Sequence, residues 1–111
     1  NKVDFIRRAH HAGFFVRLFF VCTKNPQINA ARIAKRVMEG GHDVPISKII
    51  SRYYKSIANC ANAAQYADKT YLYDNSIDNH EVIPLCRMNF GKIAKQYTVD
   101  LPEWANLILE E

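Results

Sequence analysis

The sequence is poor in glycine and proline, lacks a cysteine pair and lacks a long apolar run, and each absence excludes a class of protein. Four Gly and four Pro in 111 residues exclude collagen-like and low-complexity chains. The longest nearly uncharged apolar run, residues 13–23, contains Arg17 and is shorter than the ~20 residues that cross a bilayer. We therefore expect no membrane-spanning helix. Cys22, Cys60 and Cys86 form no C-x-x-C pair, which argues against a zinc site or a disulfide framework and favours a reducing, cytoplasmic compartment.

Positive charge is concentrated in the middle of the chain. Residues 24–55 carry seven Lys or Arg against two Glu or Asp, whereas residues 56–111 carry four against eight. The net charge is +4, and 49% of the residues are hydrophobic, which is enough for one small core. A focused basic segment indicates an anionic partner, either a phosphorylated small molecule or a nucleic acid.

Apolar periodicity and turn residues predict an α/β fold with a parallel sheet flanked by helices and a C-terminal β-hairpin. Helical spacing covers residues 3–12, 26–39, 43–64 and the segment from 101 onward, while residues 14–22 and 70–73 have the composition of buried strands. The run 14–22 lacks strict alternation, so we expect it to be buried on both faces. Residues 81–87 and 92–99 flank Asn89-Phe90-Gly91 as a hairpin, and Pro84 predicts that its first arm is an edge strand.

Two parallel strands are too few to form a sheet covered by helices. We therefore expect residues 1–111 to be a single partial domain. Either a partner supplies further strands or an earlier half of the domain lies upstream.

A basic helix and the glycines after it form the first candidate site. Arg32 and Arg36 are four residues apart on one helix face, where they repel each other unless an anion such as a phosphate lies between them. Gly40-Gly41 permits close approach of the backbone to a ligand, and His42 adds a donor or acid–base group. Arg52 and Lys55 on the next helix would supply an opposite wall. Residues of about 27–56 would then form a mobile lid. The alternatives are a solvated helix face and an ordinary helix end followed by a helix start.

A second candidate is Asn75, which lies just past the carboxyl end of a predicted strand. Ligands bind at this edge in open α/β sheets, so Asn75 is either a contact to a base or ribose or a turn residue with its own hydrogen bonds. His10 and His11 are adjacent on a helix and face different directions, so we expect no shared metal. The sequence contains no G-x-x-x-x-G-K-[ST] loop, dinucleotide motif or nucleophile elbow.

The string R-V-x-x-G-G-H-x-V-P-x-x-x-I-x-x-R-Y runs from Arg36 to Tyr53. Further matching positions lie at Gly13-Phe14-Phe15-Val16, at Asn29-Ala30-Ala31-Arg32 and from Tyr73 to Ser76. Over about residues 1–80 the chain resembles the C-terminal half of the zeta-toxin-like P-loop kinases.

The resemblance implies an ATP- or GTP-dependent phosphotransferase with Mg²⁺, acting on UDP-N-acetylglucosamine or another small molecule. It implies that Arg36 and Arg52 serve the transferring phosphate and that Arg32, His42 and Asn75 contact the nucleotide, with no metal ligand in this chain. The family's phosphate-binding loop, its Lys and its catalytic Asp precede the matching part. We therefore expect the chain alone to be inactive and to need that half, and an antitoxin is a further expected partner.

Two other functions remain open at this point. The basic helices within residues 24–55 suit a nucleic-acid-binding module, although Tyr53 and Tyr54 fall on the apolar stripe and leave no stacking surface among the basic residues. A non-catalytic module that binds a partner through unpaired sheet edges is the other. If the chain is part of a kinase, binding to nucleic acid is less favoured, and we expect no contact with a membrane.

Overall fold

The computed structural model describes residues 1–109, which form an α/β fold around one four-stranded mixed sheet. In chain order the elements are α1 (Lys2–His11), β1 (Arg17–Cys22), α2 (Pro26–Met38), α3 (Ile46–Ala64), β2 (Lys69–Asp74), β3 (Ile83–Asn89), β4 (Lys92–Gln96) and α4 (Glu103–Leu109). The strand order is β1-β2-β3-β4, with β1 and β2 parallel and the other neighbours antiparallel. The predicted fold class, with its C-terminal hairpin, is confirmed.

Local sequence sets the start and the end of α2. The Asn25 side chain accepts a hydrogen bond from the Ile28 backbone N–H at 3.1 Å, and Pro26 occupies the first helical position, where its missing N–H costs nothing. After Met38 the chain turns through Gly40 at φ +94°, and the Gly41 N–H donates to the Arg36 carbonyl at 2.6 Å. A Cβ on Gly41 would lie 2.8 Å from that carbonyl oxygen, so this turn requires glycine.

The core lies between α3, α4 and one face of the sheet. Tyr53, Ile57 and Ala61 of α3 are buried at the three-and-four spacing of an amphipathic helix. They share one cluster with Leu72 of β2 and Trp104 of α4, the latter being 2% exposed. Because α3 follows α2 directly, this packing also fixes where the two helices meet the carboxyl ends of β1 and β2.

The prediction that β1 is buried on both faces is wrong. Its side chains alternate between half-buried or buried positions on the core side and exposed positions on the other, where Phe19 is 60% and Val21 50% exposed. The apolar composition predicts a covered strand, but no element within residues 1–109 covers that side of β1.

The prediction that Pro84 marks an edge strand is wrong for β3 as a whole, which lies between β2 and β4. At Pro84 itself the sheet is one-sided, because Pro84 is paired with Tyr73 of β2 whereas β4 pairs with β3 only from Cys86 to Asn89. Proline is tolerated there because a strand with a neighbour on one side only leaves the other side free of ladder hydrogen bonds. The sheet edge on the hairpin side is β4, whose residues are all exposed.

None of the helices described within residues 1–109 combines the length and the apolar character needed to cross a membrane.

Candidate functional site: a cleft between two basic helices

A cleft opens where the parallel strands β1 and β2 end and α2 and α3 diverge. It consists of two adjoining hollows of about 200 Å³ and about 310 Å³, which share Asn29, Tyr53 and Ser56 in their linings. We call it the α2–α3 cleft. Its position at the carboxyl ends of parallel strands is where α/β sheets bind ligands.

The floor of the cleft is held by hydrogen bonds around Thr23. The Tyr53 hydroxyl donates to the Thr23 carbonyl at 2.6 Å, which ties the end of β1 to α3. The Thr23 hydroxyl has two acceptors within reach of its single proton, Asn29 Oδ1 at 2.8 Å and the Asn25 carbonyl at 3.0 Å. Burial raises the pKa of Tyr53 above its ordinary value, so the phenol stays protonated and keeps donating. The Asn29 side chain is therefore oriented by α3 through Thr23.

The loop after β2 is joined to the loop after β1. The Asn75 N–H donates to the Cys22 carbonyl at 2.8 Å, and the Lys24 N–H donates to Ser76 Oγ at 2.8 Å. Asn75 is half-buried and lines the cleft, while its backbone is fixed by β1. Asn75 is thus held in a turn by its backbone and lies in the cleft lining, and its contact with a base or ribose stays a prediction.

Asp74 is a buried carboxylate directly beneath this loop. It is 5% exposed and accepts hydrogen bonds from the Trp104 indole N–H and from the Ser76 backbone N–H, each at 3.0 Å. No cation pairs with it in the part of the chain that the structure describes. A buried carboxylate without a cation depends on such N–H donors, so α4 stabilises the loop that carries Asn75.

Arginines occupy both walls of the cleft. Arg32 on α2 is 23% exposed, and its Nε lies 3.0 Å from Asp78 Oδ1. Arg52 on α3 is exposed, and none of the ion pairs found among residues 1–109 involves it. The cleft therefore has one arginine held by an exposed carboxylate and one whose guanidinium is available to an anion.

The structure brings three of the five sequence-predicted residues to this cleft: Arg32, Arg52 and Asn75 line it. Arg36 and His42 are exposed and lie outside both linings. Arg36 is in the last turn of α2, and His42 is in the connection after the two glycines, so both sit where the α2–α3 connection turns. Their proposed roles stay predictions.

Three contributors to the site were not predicted from sequence. Thr23 and Tyr53 act through backbone and side-chain hydrogen bonds that link distant parts of the chain, and Tyr53 looks like one more apolar position of the α3 stripe. Asp74 stands directly before Asn75 in a run of turn-forming residues, which are usually exposed, so the sequence does not predict that Asp74 is buried. The signal that was available in the sequence is the position of Thr23 and Asp74 directly after the predicted strands 14–22 and 70–73.

Cys22 lies under the cleft but is not a nucleophile at neutral pH. Burial raises the pKa of its thiol to about 11, so the reactive thiolate is scarce. Burial likewise raises the pKa of Cys86 to about 11 and that of Cys60 to about 12. Covalent chemistry through these cysteines is therefore disfavoured.

Comparisons of the chain with protein-family models, with curated proteins and with solved structures found no match.

Proposed function

We propose that this chain supplies the lid and the phosphate-binding arginines of an ATP- or GTP-dependent phosphotransferase of the zeta-toxin type. The observation that carries the proposal is that Arg32 and Asn75 line the hollow at the carboxyl ends of β1 and β2, while Arg52 lines the adjoining hollow between α2 and α3. The acceptor is UDP-N-acetylglucosamine or another small molecule. The phosphate-binding loop comes from another segment, because the sequence contains no G-x-x-x-x-G-K-[ST] motif.

The two arginines suit phosphate oxygens in different ways. Arg52 presents a planar fork of donors from α3, and such groups stabilise charge that spreads over a transferring phosphoryl group. Arg32 is held by Asp78, whose side chain is 77% exposed, and an exposed ion pair of this kind contributes only ~0–1 kcal/mol. A phosphate can therefore replace Asp78 as the partner of Arg32 at little cost.

The α2–α3 connection gives the cleft a way to close. Gly40 and Gly41 adopt a turn that side-chain-bearing residues tolerate poorly. In this proposal α2 and α3 approach each other about this point when a ligand binds. Closure would carry Arg36 and His42 toward a bound nucleotide. In this proposal, Arg36 and His42 are exposed and lie outside the cleft lining because the lid is open.

The described residues fit a nucleotide phosphate better than they fit Mg²⁺. Within residues 1–109, no group of three or more His, Cys, Asp or Glu side chains is arranged to hold a metal ion. The metal ligands therefore belong, in this proposal, to the segment that carries the phosphate-binding loop. When bound there, Mg²⁺ would neutralise phosphate charge, while this chain binds and orients the phosphate oxygens.

The same proposal includes the compartment and the partners. Cys22, Cys60 and Cys86 are buried free thiols, which agrees with a reducing, cytoplasmic environment. The proposed partners are the polypeptide segment with the phosphate-binding loop and, for a toxin, an antitoxin.

Calorimetric titration of the chain with ATP and with adenosine tests the proposal. We expect ATP to bind at least about tenfold more tightly than adenosine, because the arginines act on the phosphates. Arg52→Ala should remove most of that difference, whereas Lys48→Ala, an exposed change on the same helix outside the cleft lining, should leave it unchanged.

Equal affinities for ATP and adenosine would contradict the proposal. Binding of duplex DNA with a steep salt dependence, and no affinity for ATP, would instead favour the nucleic-acid-binding alternative.

A further inference from the structure

The outer edge of β1 has unpaired backbone groups. The Val16 carbonyl accepts from the Lys69 N–H at 3.2 Å, and the Cys22 carbonyl accepts from the Asn75 N–H at 2.8 Å. Backbone groups of a parallel strand alternate in direction, so these even-numbered positions face β2. The N–H and C=O groups of Arg17, Phe19 and Val21 therefore face away from the sheet.

The two edges of the sheet differ in composition. The edge strand β4 contains Lys92, Lys95 and Gln96 and is exposed throughout, and charged edges of this kind discourage pairing with other chains. In β1, by contrast, Arg17 is followed by five residues without charge, and Phe19 and Val21 are at least half exposed. β4 has the composition of a strand that stays at an edge, whereas β1 has that of a strand with a neighbour on both sides.

An apolar groove of about 670 Å³ runs between β1 and α1, next to this edge. Phe5, Phe14 and Phe15 line it, and each is more than half exposed. The charged side chains in its lining are Arg8 and Arg17, both positive, and the Arg17 guanidinium carbon lies 4.9 Å from the centre of the Phe15 ring. The groove thus combines apolar surface with positive charge at its rim.

We propose that the β1 edge binds an extended segment of a different polypeptide as an additional β-strand, with apolar side chains over the groove and a carboxylate beside Arg17. The unpaired backbone groups suit an added strand, the phenylalanines suit apolar side chains, and the positive charge of Arg17 suits an acidic one. This inference goes beyond the proposed function and does not rest on it.

A second copy of this chain fits the edge less well. A two-fold pairing of β1 with β1 is antiparallel and would place the uncharged end of one strand opposite Arg17 of the other, so it offers Arg17 no carboxylate. The nearby Asp4 already pairs with Arg7 and Arg8. A single-stranded nucleic acid also fits less well. Phe19 stacks on Tyr71 with ring centres 5.0 Å apart and planes within 10°, so one face of the Phe19 ring is already covered, which reduces the surface on which a base could stack.

Fluorescence anisotropy with a short synthetic peptide tests the proposal on the full chain. The probe alternates valine with threonine and carries glutamates, and a control peptide has lysine in place of each glutamate. We expect the acidic peptide to bind at least about tenfold more tightly than the basic one. Arg17→Glu should abolish that preference, whereas Lys95→Glu on β4 should retain it.

Methylating the backbone nitrogens of the acidic peptide should weaken its binding about tenfold as well, because strand pairing requires its N–H groups.

Hydrogen exchange locates the contact. Binding of the acidic peptide should slow exchange of the Arg17, Phe19 and Val21 amides and leave β4 unchanged. Absence of peptide binding, equal affinity for the two peptides, or protection of β4 would overturn the proposal. So would sedimentation showing that the chain alone dimerises with protection of the same amides, or protection of those amides by single-stranded DNA and not by the peptide.

Discussion

Replacing Trp104 with alanine is expected to lower the free energy of unfolding by about 3–5 kcal/mol, the usual cost of removing a buried aromatic side chain. Trp104 is 2% exposed, its ring meets Phe20 edge-on at 5.7 Å between centres, and its indole N–H donates to Asp74. The change leaves a cavity and also removes a donor from a buried carboxylate. Small domains are stable by only about 5–15 kcal/mol, so this loss is a large fraction of the total. Urea denaturation followed by circular dichroism measures the loss.

Two further variants separate the causes. Trp104→Phe keeps most of the apolar volume and removes the donor, and we expect it to cost about 1–3 kcal/mol because Asp74 loses one of its hydrogen bonds. Leu107→Ala changes the same helix at a side chain that is 41% exposed and should cost much less than Trp104→Ala. Equal losses for Leu107→Ala and Trp104→Ala would show that α4 does not anchor the loop after β2 through Trp104.

In the complete phosphotransferase proposed above, Arg52→Ala is expected to lower turnover about a hundredfold, which corresponds to roughly 3 kcal/mol of transition-state stabilisation. Arg52 lines the cleft, and none of its neighbours within residues 1–109 forms an ion pair with it. Steady-state rates with ATP and the acceptor measure the effect. Arg52→Lys keeps the charge and removes the planar fork, so we expect it to restore only part of the rate.

The effect of Arg36→Ala on turnover tests the lid independently of Arg52. Arg36 lies outside the cleft in the structure, so a hundredfold loss in Arg36→Ala requires closure about Gly40 and Gly41. Unchanged rates in both Arg36→Ala and Arg52→Ala, with normal folding, would assign both side chains to solvated surface and contradict the proposed mechanism.

Much of the fold follows from local sequence because its signals are strong there. Asn25-Pro26 begins α2, two glycines end it, and the spacing of Ile49, Tyr53 and Ile57 defines the buried face of α3. The turn formers at Asn89-Phe90-Gly91 fix the hairpin, where Phe90 and Gly91 adopt positive φ. These features need only a few neighbouring residues, which is why they are predictable.

Burial and hydrogen bonding across the fold were harder to predict. The apolar composition of β1 predicts that both of its faces are buried. Burial depends on which other elements pack against the strand, and within residues 1–109 only one face of β1 is packed against. Pro84 predicts an edge strand, but β3 is an inner strand that has a neighbour on one side only at Pro84, because β4 pairs with it from Cys86 onward. At the site, the spacing of Arg32 and Arg36 identifies a basic helix face, whereas the contact of Asp74 with Trp104 joins residues 30 positions apart.

Mapping amide chemical-shift changes in the isotope-labelled chain during titration with ADP tests the central claim most directly, because it asks whether the α2–α3 cleft is the phosphate-binding site. We expect the largest changes at Thr23, Asn29 and Asn75 and at the Nε–H of Arg32, which exchanges Asp78 for phosphate. Changes confined to the exposed lysines of α3 or to the hairpin, with the cleft residues unaffected, would contradict the account.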